Sequence, residues 1–161
     1  MVFLTQTNKF ENSIKKIIIN SITWCSIGIT NEVIFTAISD YFSIYDNKLI
    51  GYTYLWMIPI YSLLPVIFWI SDKIIKNIFI KSLFVSLNIM FFELLYGSFL
   101  KKYFICPWEK NYISHYSINN VVRLDYFPFW YMISLIWSKL WIEFNNVTES
   151  TTKYKPKSVS N

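Results

Sequence analysis

The stretch that decides the fold is LIGYTYLWMIPIYSLLPVIFWIS, residues 49–71. It carries no charged residue between Lys48 and Asp72. A helix that crosses a bilayer needs about 20 predominantly apolar residues. A helix buried in a soluble protein usually keeps a polar stripe, and none is present between Trp56 and Trp69. The stretch is also too long for a strand and shows no sustained polar–apolar alternation, so it predicts a transmembrane helix.

Three further segments are similarly poor in charge and predict an all-α polytopic membrane protein, a bundle of four transmembrane helices. The first segment contains one acid, Glu32, the third contains Glu93, and the fourth contains Lys139, which we expect to reach the headgroups from the helix end. Pro59 and Pro65 predict a kink in the second helix. We expect one transmembrane domain over residues 17–144, with spans at about 17–39, 52–71, 80–100 and 126–144.

Polar segments flank this domain. Residues 1–16 predict a cytoplasmic N-terminal segment that lacks the pattern of a secretory signal. Residues 145–161 are rich in Ser, Thr and Lys without an apolar face, which predicts a disordered cytoplasmic tail. The tail contains the glycosylation sequon Asn146-Val147-Thr148, which a cytosolic tail would leave unmodified.

The composition supports a membrane protein and excludes several other classes. Hydrophobic residues make up 54% and charged residues 16% of the 161 residues, and the net charge of +5 is spread between apolar runs. We therefore expect the lipid bilayer as the main partner and no nucleic acid. Two distant cysteines, Cys25 and Cys106, and one histidine, His115, predict neither a disulfide nor a metal site. With three glycines in the chain we expect no nucleotide loop and no cofactor.

The basic residues predict the orientation, because cytoplasmic loops carry an excess of Lys and Arg. With the amino end inside and Lys139 left in its helix, nine basic residues lie on the cytoplasmic side against five outside. Both termini are therefore predicted to be cytosolic, and the organelle is not indicated. The nine are Lys9, Lys15, Lys16, Lys73, Lys76, Lys81, Lys153, Lys155 and Lys157, and the five are Lys48, Lys101, Lys102, Lys110 and Arg123.

Aromatic residues crowd the ends of the four segments. Amphipathic rings favour the headgroup level, so the pattern predicts interfacial belts. The alternative is a general excess of aromatic residues, which make up 20% of the chain. The residues concerned are Tyr41, Tyr45, Tyr52, Tyr54, Trp56, Trp69, Tyr103, Trp108, Tyr126, Trp130, Trp137 and Trp141.

Glu32 and Glu93 are the strongest candidates for a functional site, because a charge near the bilayer centre is costly and usually either functional or paired. Glu32 lies seven residues before Ser39, and Glu93 lies seven residues before Leu100. The first and third of four alternating helices run in the same direction. Both acids are therefore expected at about 10 Å inside the non-cytoplasmic edge, at 1.5 Å per residue. If these helices are neighbours, the acids share one site that binds a proton or a cation.

Other polar residues are candidates for the same site. Asn31 and Asn88 lie on the right helices, and Arg123 and Asp125 precede the fourth helix on the same membrane side. Arg123 is the predicted counter-ion of the acids. The alternative for both acids is structural, since a protonated Glu can hydrogen-bond a neighbouring helix. Gly97 lies four residues after Glu93 and predicts close packing.

The third loop, residues 101–124, contains Cys106, Pro107 and Trp108. Pro107 predicts a turn, and Trp108 an interfacial anchor. A nucleophilic role for Cys106 needs a neighbouring base, and His115 is not held near it by any predicted element. We predict no catalytic residue.

Several of these elements resemble those of a known family. Residues 32–37, Glu-Val-Ile-Phe-Thr-Ala, resemble a Glu-Val-Met-Phe-Thr-Ala element of a first helix, and the pair Glu93 and Gly97 resembles Trp-Glu-Phe-x-x-Gly in a third helix. Residues 106–108 resemble a Cys-Pro-Trp-Asp-Tyr loop. Residues 124–126 with Trp130 resemble the Leu-Glu-Tyr-x-x-Pro-Trp start of a last helix. The order and spacing of these elements make residues 24–144 similar to the transmembrane protein 229 family.

That family is related to bacterial membrane proteins labelled ABC-transporter type IV (CmpB-like). The chain departs from the pattern in two places: Glu109 and Lys110 replace the Asp-Tyr of the loop, and the proline of the last helix is displaced to Pro128. The resemblance implies a small multi-pass membrane protein, and it implies no defined biochemical activity.

Three functions follow as expectations. The first is a non-enzymatic membrane component that assists the movement of a small solute, a cation or a proton through the site of Glu32 and Glu93. The second is a structural or accessory subunit without transport activity, in which the acids only join helices. The third is a lipid-modifying enzyme that uses Cys106, His115 or Asp125. Because a chain of 161 residues is small for a transporter that acts alone, we expect a homo-oligomer or a membrane partner.

Overall fold

A computed structural model describes the backbone of residues 2–44, 47–110 and 112–153, and the side chains of residues 14–42, 47–110 and 112–145. The described chain is mostly helical. The helices are α1 (Val2–Ile44), α2 (Ile58–Ser62), α3 (Leu64–Ile74), α4 (Ile78–Lys102) and α5 (Phe127–Lys153). A short antiparallel hairpin joins β1 (Ser117–Ile118) to β2 (Val122–Arg123), and 3₁₀ turns at Leu55–Met57 and Leu124–Tyr126 precede α2 and α5.

Three helical stretches in the described residues are long and apolar enough to cross a membrane, which indicates a membrane-embedded protein. They are Ile14–Phe42, Leu55–Ile74 and Ile78–Lys102. Each overlaps one of the first three predicted spans. The first and third extend beyond the charged residues that were used to delimit them at both ends, whereas the second begins at Leu55, inside its predicted span, and extends beyond Asp72. The fourth predicted span forms α5, which is not one of the three. Its tryptophans, together with Lys139 and Glu143, lower its mean hydropathy.

The second apolar stretch is broken where proline predicts a kink. α2 ends at Ser62, Leu63 forms a turn, and α3 begins at Leu64 with Pro65 in its first turn. Proline has no N–H to donate to the preceding turn, so a helix is interrupted before it. The backbone N–H groups of Val66 and Ile67 instead donate to the Leu63 carbonyl, at 3.0 and 3.1 Å.

The prediction of a disordered tail at residues 145–161 is wrong for its first part. α5 continues to Lys153, and residues 154–161 lie outside the described residues. Starting a helix is costly, whereas each further residue adds one hydrogen bond, so a helix that is already anchored by packing extends into polar sequence. Similarly, the backbone of the predicted N-terminal segment is helical from Val2.

An aromatic cluster joins α1, α3 and α5. Trp24 packs against Phe68 with ring centroids 4.8 Å apart, and against Trp141 at 5.8 Å. Phe68 and Trp141 stack at 5.3 Å with an interplanar angle of 16°. Trp137 completes the cluster, with its ring centroid 6.4 Å from that of Trp24. Such pairs are stabilising beyond the area they bury.

The prediction of interfacial belts is therefore wrong for four tryptophans. Trp108, Trp130, Trp137 and Trp141 are all buried. The last three are spaced by seven and four residues, so they lie on one face of α5, and that face packs inward. Trp56, Trp69 and Tyr103 are exposed, as a belt requires, and Tyr45 lies outside the described residues.

Small side chains hold α4 against α5. Ser82 and Ser86 on α4, and Ser134 and Ser138 on α5, have no exposed surface. The Ser82 hydroxyl lies 3.0 Å from that of Ser138, within hydrogen-bond distance. Small residues let membrane helices approach closely, and hydroxyl groups add hydrogen bonds between them.

At the start of α4, a cluster of three polar side chains joins three helices. The buried Lys81 ammonium pairs with Asp72 at the end of α3, and Asp72 also accepts a hydrogen bond from the Trp141 indole of α5. Burial of a lysine is tolerated when the ammonium is paired in this way. This cluster closes the end of the bundle that lies away from the cavity described below.

We expect Asn77→Ala to lower the free energy of unfolding by about 1 kcal/mol. The Asn77 side chain caps α4 by accepting from the backbone N–H groups of Phe79 at 2.9 Å and Ile80 at 3.3 Å. Alanine leaves these donors without that partner. Thermal unfolding in detergent micelles measures the loss. Asn77→Ser is the matched control, because serine caps about as well as asparagine; an equal loss in both variants would contradict the capping role.

Candidate functional site

Glu32 of α1 and Glu93 of α4 line the same cavity, which has a volume of about 310 Å³. Both side chains are buried, with Glu32 8% and Glu93 4% exposed. The cavity is partly open, and it lies between the carboxyl-terminal part of α1, the middle of α4, the segment that leads into α2 with α2 itself, the start of α5 and the third loop. The two acids that were expected to share one site therefore line one cavity, and their common depth in the membrane stays a prediction.

The Glu32 carboxylate has two hydroxyl partners. Its Oε2 atom accepts hydrogen bonds from Thr53 at 2.8 Å and from Tyr61 at 3.0 Å. Thr53 lies just before the 3₁₀ turn that leads into α2, and Tyr61 lies just before the break at Leu63. Both donors therefore depend on the irregular backbone around α2.

The Glu93 carboxyl is less completely satisfied. Its Oε1 atom is buried and has no hydrogen-bond partner among the residues that the structure describes. Tyr112 of the third loop lines the cavity with it. Burial, the neighbouring carboxyls of Glu93 and Glu32, and a hydrogen bond with Glu93 raise the pKa of the Tyr112 hydroxyl well above its usual value. Tyr112 is thus a neutral hydrogen-bond donor at all physiological pH values, and Glu93 keeps one acceptor free.

The third loop covers the cavity and rests on α4. The indole of Trp108 is buried, lines the cavity and donates to the Val121 carbonyl at 3.1 Å. Gly97 makes this approach feasible, since an added Cβ would lie 1.9 Å from Cγ1 of Val121 and 3.0 Å from Cζ2 of Trp108. The close packing predicted for Gly97 exists, but its partner is the loop rather than a helix. Trp108 is accordingly part of the core and not an interfacial anchor.

Arg123 lines the cavity but has a different partner from the one predicted. Its guanidinium forms a two-point ion pair with Asp125 and lies over the Tyr126 ring, 4.2 Å from the centroid. This hydrogen-bonded pairing raises the pKa of Arg123 and lowers that of Asp125. A partner two residues away costs less chain entropy than a distant glutamate, so the local pair forms. Asp125 serves this pair and is not among the residues that line the cavity.

The two asparagines bond within their own helices. Asn31 donates to the Ile27 carbonyl at 2.8 Å, and Asn88 donates to the Phe84 carbonyl at 2.8 Å. Neither is among the cavity-lining residues. Successive residues are roughly 100° apart around a helix, so the side chains of Asn31 and Glu32 point to different sides of α1. The prediction of Asn31 as a site residue is therefore wrong.

The two cysteines and His115 form no reactive group. Cys25 and Cys106 are both free. Burial raises the pKa of the Cys106 thiol, which disfavours the nucleophilic thiolate, and His115 is exposed. Among the described residues, no group of three or more His, Cys, Asp or Glu side chains could hold a metal ion.

The sequence interpretation missed most of the cavity wall. Eight of the seventeen lining residues are aromatic. Tyr61 and Tyr112 were not singled out, although the first lies beside a proline break and the second follows the Cys-Pro-Trp motif. Trp130 shares the inward face of Trp137 and Trp141, and that spacing was present in the sequence. Asp40, at the end of α1, adds a third carboxyl group to the wall.

No model of a known protein family matches the chain, and no solved structure matches it. The chemistry of the cavity therefore rests on its own residues. Three carboxyl groups face one guanidinium that is already paired, so the cavity favours a positively charged occupant.

Proposed function

We propose that this chain is a non-enzymatic, multi-pass membrane protein whose cavity binds a proton or a cation and assists its movement. The observation that carries the proposal is that Glu32 and Glu93, from two apolar helices, line one cavity. Ionisable residues inside membrane segments commonly mark ion pathways or proton relays. Glu93, with its free acceptor atom, is the residue that would receive the proton or cation.

The proposal includes α5 as a fourth span. Its inward face carries the buried Trp130, Trp137 and Trp141, and Ser138 meets Ser82 of α4. Lys139 lies on the exposed face near the end of the apolar part, where a long side chain can reach the headgroups. Four spans would place both termini on one side, which the excess of basic residues makes cytosolic. Membership of the transmembrane protein 229 family and assembly into a homo-oligomer belong to the same proposal.

The flux experiment uses the full chain reconstituted in liposomes with an imposed potassium or proton gradient. We expect the wild type to dissipate one of these gradients, and Glu93→Gln to lower the rate on the order of tenfold, which corresponds to about 1.4 kcal/mol. Glutamine keeps the shape of the side chain and removes the titratable oxygen. A pH-sensitive dye and a potassium electrode report the two fluxes.

Glu143→Gln is the matched control, because Glu143 is an exposed glutamate of α5 outside the cavity. It should leave the flux unchanged. Absence of flux in the wild type, or equal rates in wild type and Glu93→Gln, would contradict the proposal. Size-exclusion elution and thermal unfolding of each variant separate loss of function from loss of fold.

A structural or accessory subunit is the second candidate, and the bonding of Glu32 favours it. A carboxyl that joins α1 to α2 through Tyr61, and to the preceding loop through Thr53, acts as a link between segments. If both acids are only links, Glu93→Gln lowers thermal stability or partner binding while the wild type passes no ions. The same set of variants therefore distinguishes the two candidates.

A lipid-modifying enzyme has the weakest support. Cys106 is half-buried with a raised thiol pKa, His115 is exposed, and Asp125 is held by Arg123. These three residues do not provide a nucleophile with an adjacent base.

A further inference from the structure

We propose that the occupant of the cavity is an alkylated ammonium ion that keeps at least one N–H group. This inference rests on the proposed function, since it names the chemical class of the cation. It follows from three properties of the cavity: its aromatic wall, the free acceptor atom of Glu93 and its volume.

The aromatic wall is the first property. Eight of seventeen lining residues carry aromatic rings, among them the buried Tyr61, Trp108 and Trp130. The faces of such rings attract cations, and aromatic cages of this composition recognise alkylated ammonium groups. A small inorganic ion gains more from a close shell of oxygen atoms than from rings.

The free acceptor is the second property. Oε1 of Glu93 is buried without a partner in the described part of the chain, and Glu93 is only 4% exposed. A buried acceptor without a hydrogen bond is costly, so a ligand that donates an N–H to it gains both the hydrogen bond and the attraction of opposite charges. Tetraalkylated nitrogen has no N–H and would leave the atom unsatisfied.

The volume is the third property. About 310 Å³ is at the lower end of the range of small-molecule pockets, roughly 300–1,000 Å³, and is far larger than a dehydrated metal ion. The described residues contain no group of three or more His, Cys, Asp or Glu side chains that could hold a metal ion. Arg123 does not oppose a cation strongly, because Asp125 already neutralises its charge.

The test compares four cations with the purified full chain in maltoside micelles, by titration calorimetry. The cations are trimethylammonium, tetramethylammonium, ethanolammonium and potassium. We expect trimethylammonium to bind about tenfold more tightly than tetramethylammonium, because tetramethylammonium carries a methyl group in place of the N–H that would donate to Glu93. Potassium should bind at least about tenfold more weakly than trimethylammonium, because it lacks the alkyl contacts with the rings.

Two variants locate the effect. Glu93→Gln should weaken trimethylammonium binding about tenfold and remove its advantage over tetramethylammonium. Glu143→Gln, outside the cavity, should bind as the wild type does. A comparison of ethanolammonium with glycerophosphoethanolamine distinguishes a free amine from a lipid headgroup, since tighter binding of one identifies the source.

Equal affinity of the wild type for trimethylammonium and tetramethylammonium would overturn the inference, as would equal affinity for trimethylammonium and potassium or no binding of any ammonium ion. A chain that passes protons or potassium in liposomes but lacks the preference for trimethylammonium would keep the proposed function and lose this inference. The two failures are therefore distinguishable.

Discussion

Replacing Trp137 with alanine is expected to lower the free energy of unfolding by about 3–5 kcal/mol. The Trp137 ring is 1% exposed and contacts the rings of Trp24 and Tyr61, with centroids 6.4 and 6.5 Å apart. Removing it leaves a void between α1, α2 and α5 that the neighbouring rings can fill only in part. Thermal unfolding in detergent micelles measures the loss.

Ile136→Ala is the control for Trp137→Ala. Ile136 is the preceding residue of α5 and is 53% exposed, so its truncation removes surface contacts without opening a void. We expect a much smaller loss of stability than for Trp137. Similar losses in the two variants would show that α5 does not pack through its tryptophan face.

Gly28→Ala is the second substitution with a large expected effect, and the sign of the change in the free energy of unfolding is informative. In an exposed helix interior, alanine is more favourable than glycine by about 1 kcal/mol. At Gly28 the added Cβ would lie 2.4 Å from Cγ and 2.9 Å from Cβ of Tyr61, close to the backbone of α2. The two helices must separate, so we expect a net loss of about 1–3 kcal/mol, occasionally more.

The contact with Tyr61 can be isolated by a double-mutant cycle. In a Tyr61→Ala background the contacts with the ring are absent and only the 2.9 Å contact with Cβ remains, so Gly28→Ala should be much less destabilising than in the wild type. Ser26→Ala, at an exposed position on the same helix, controls for the general effect of alanine. A stabilising effect of Gly28→Ala in the wild-type background would contradict the close approach of α1 and α2.

The sequence predicted the helices better than the contacts of the cavity. Long apolar runs require helical structure in a membrane, because every backbone polar group must then be satisfied internally. Counting residues to the helix ends predicts a common depth for Glu32 and Glu93, and the two acids do line one cavity. The angular position of Asn31 was also available from the helical period, and it explains why that residue is not part of the wall.

The loop contacts were not accessible in this way. Trp108 lies in the core because the third loop folds back onto Gly97, and nothing in the local sequence specifies where a loop of this length will lie. Arg123 pairs with Asp125 rather than with Glu32 or Glu93. Whether a local or a distant acid becomes its partner depends on distances in the folded chain. The positions of Tyr61 and Thr53 depend on the break at Leu63 and on the turn before α2.

The depth of the two acids has an electrical consequence. Glu32 lies ten residues from the end of its apolar stretch at Phe42, which corresponds to roughly 10–15 Å along a helix. If the cavity takes up a monovalent cation as proposed, the ion crosses about a third to a half of the roughly 30 Å hydrocarbon layer to reach Glu32 from the open end. One charge that crosses the whole layer gains or loses about 2.3 kcal/mol per 100 mV. The affinity of the cavity for the cation would therefore change about four- to sevenfold with 100 mV of membrane potential, without any movement of the helices.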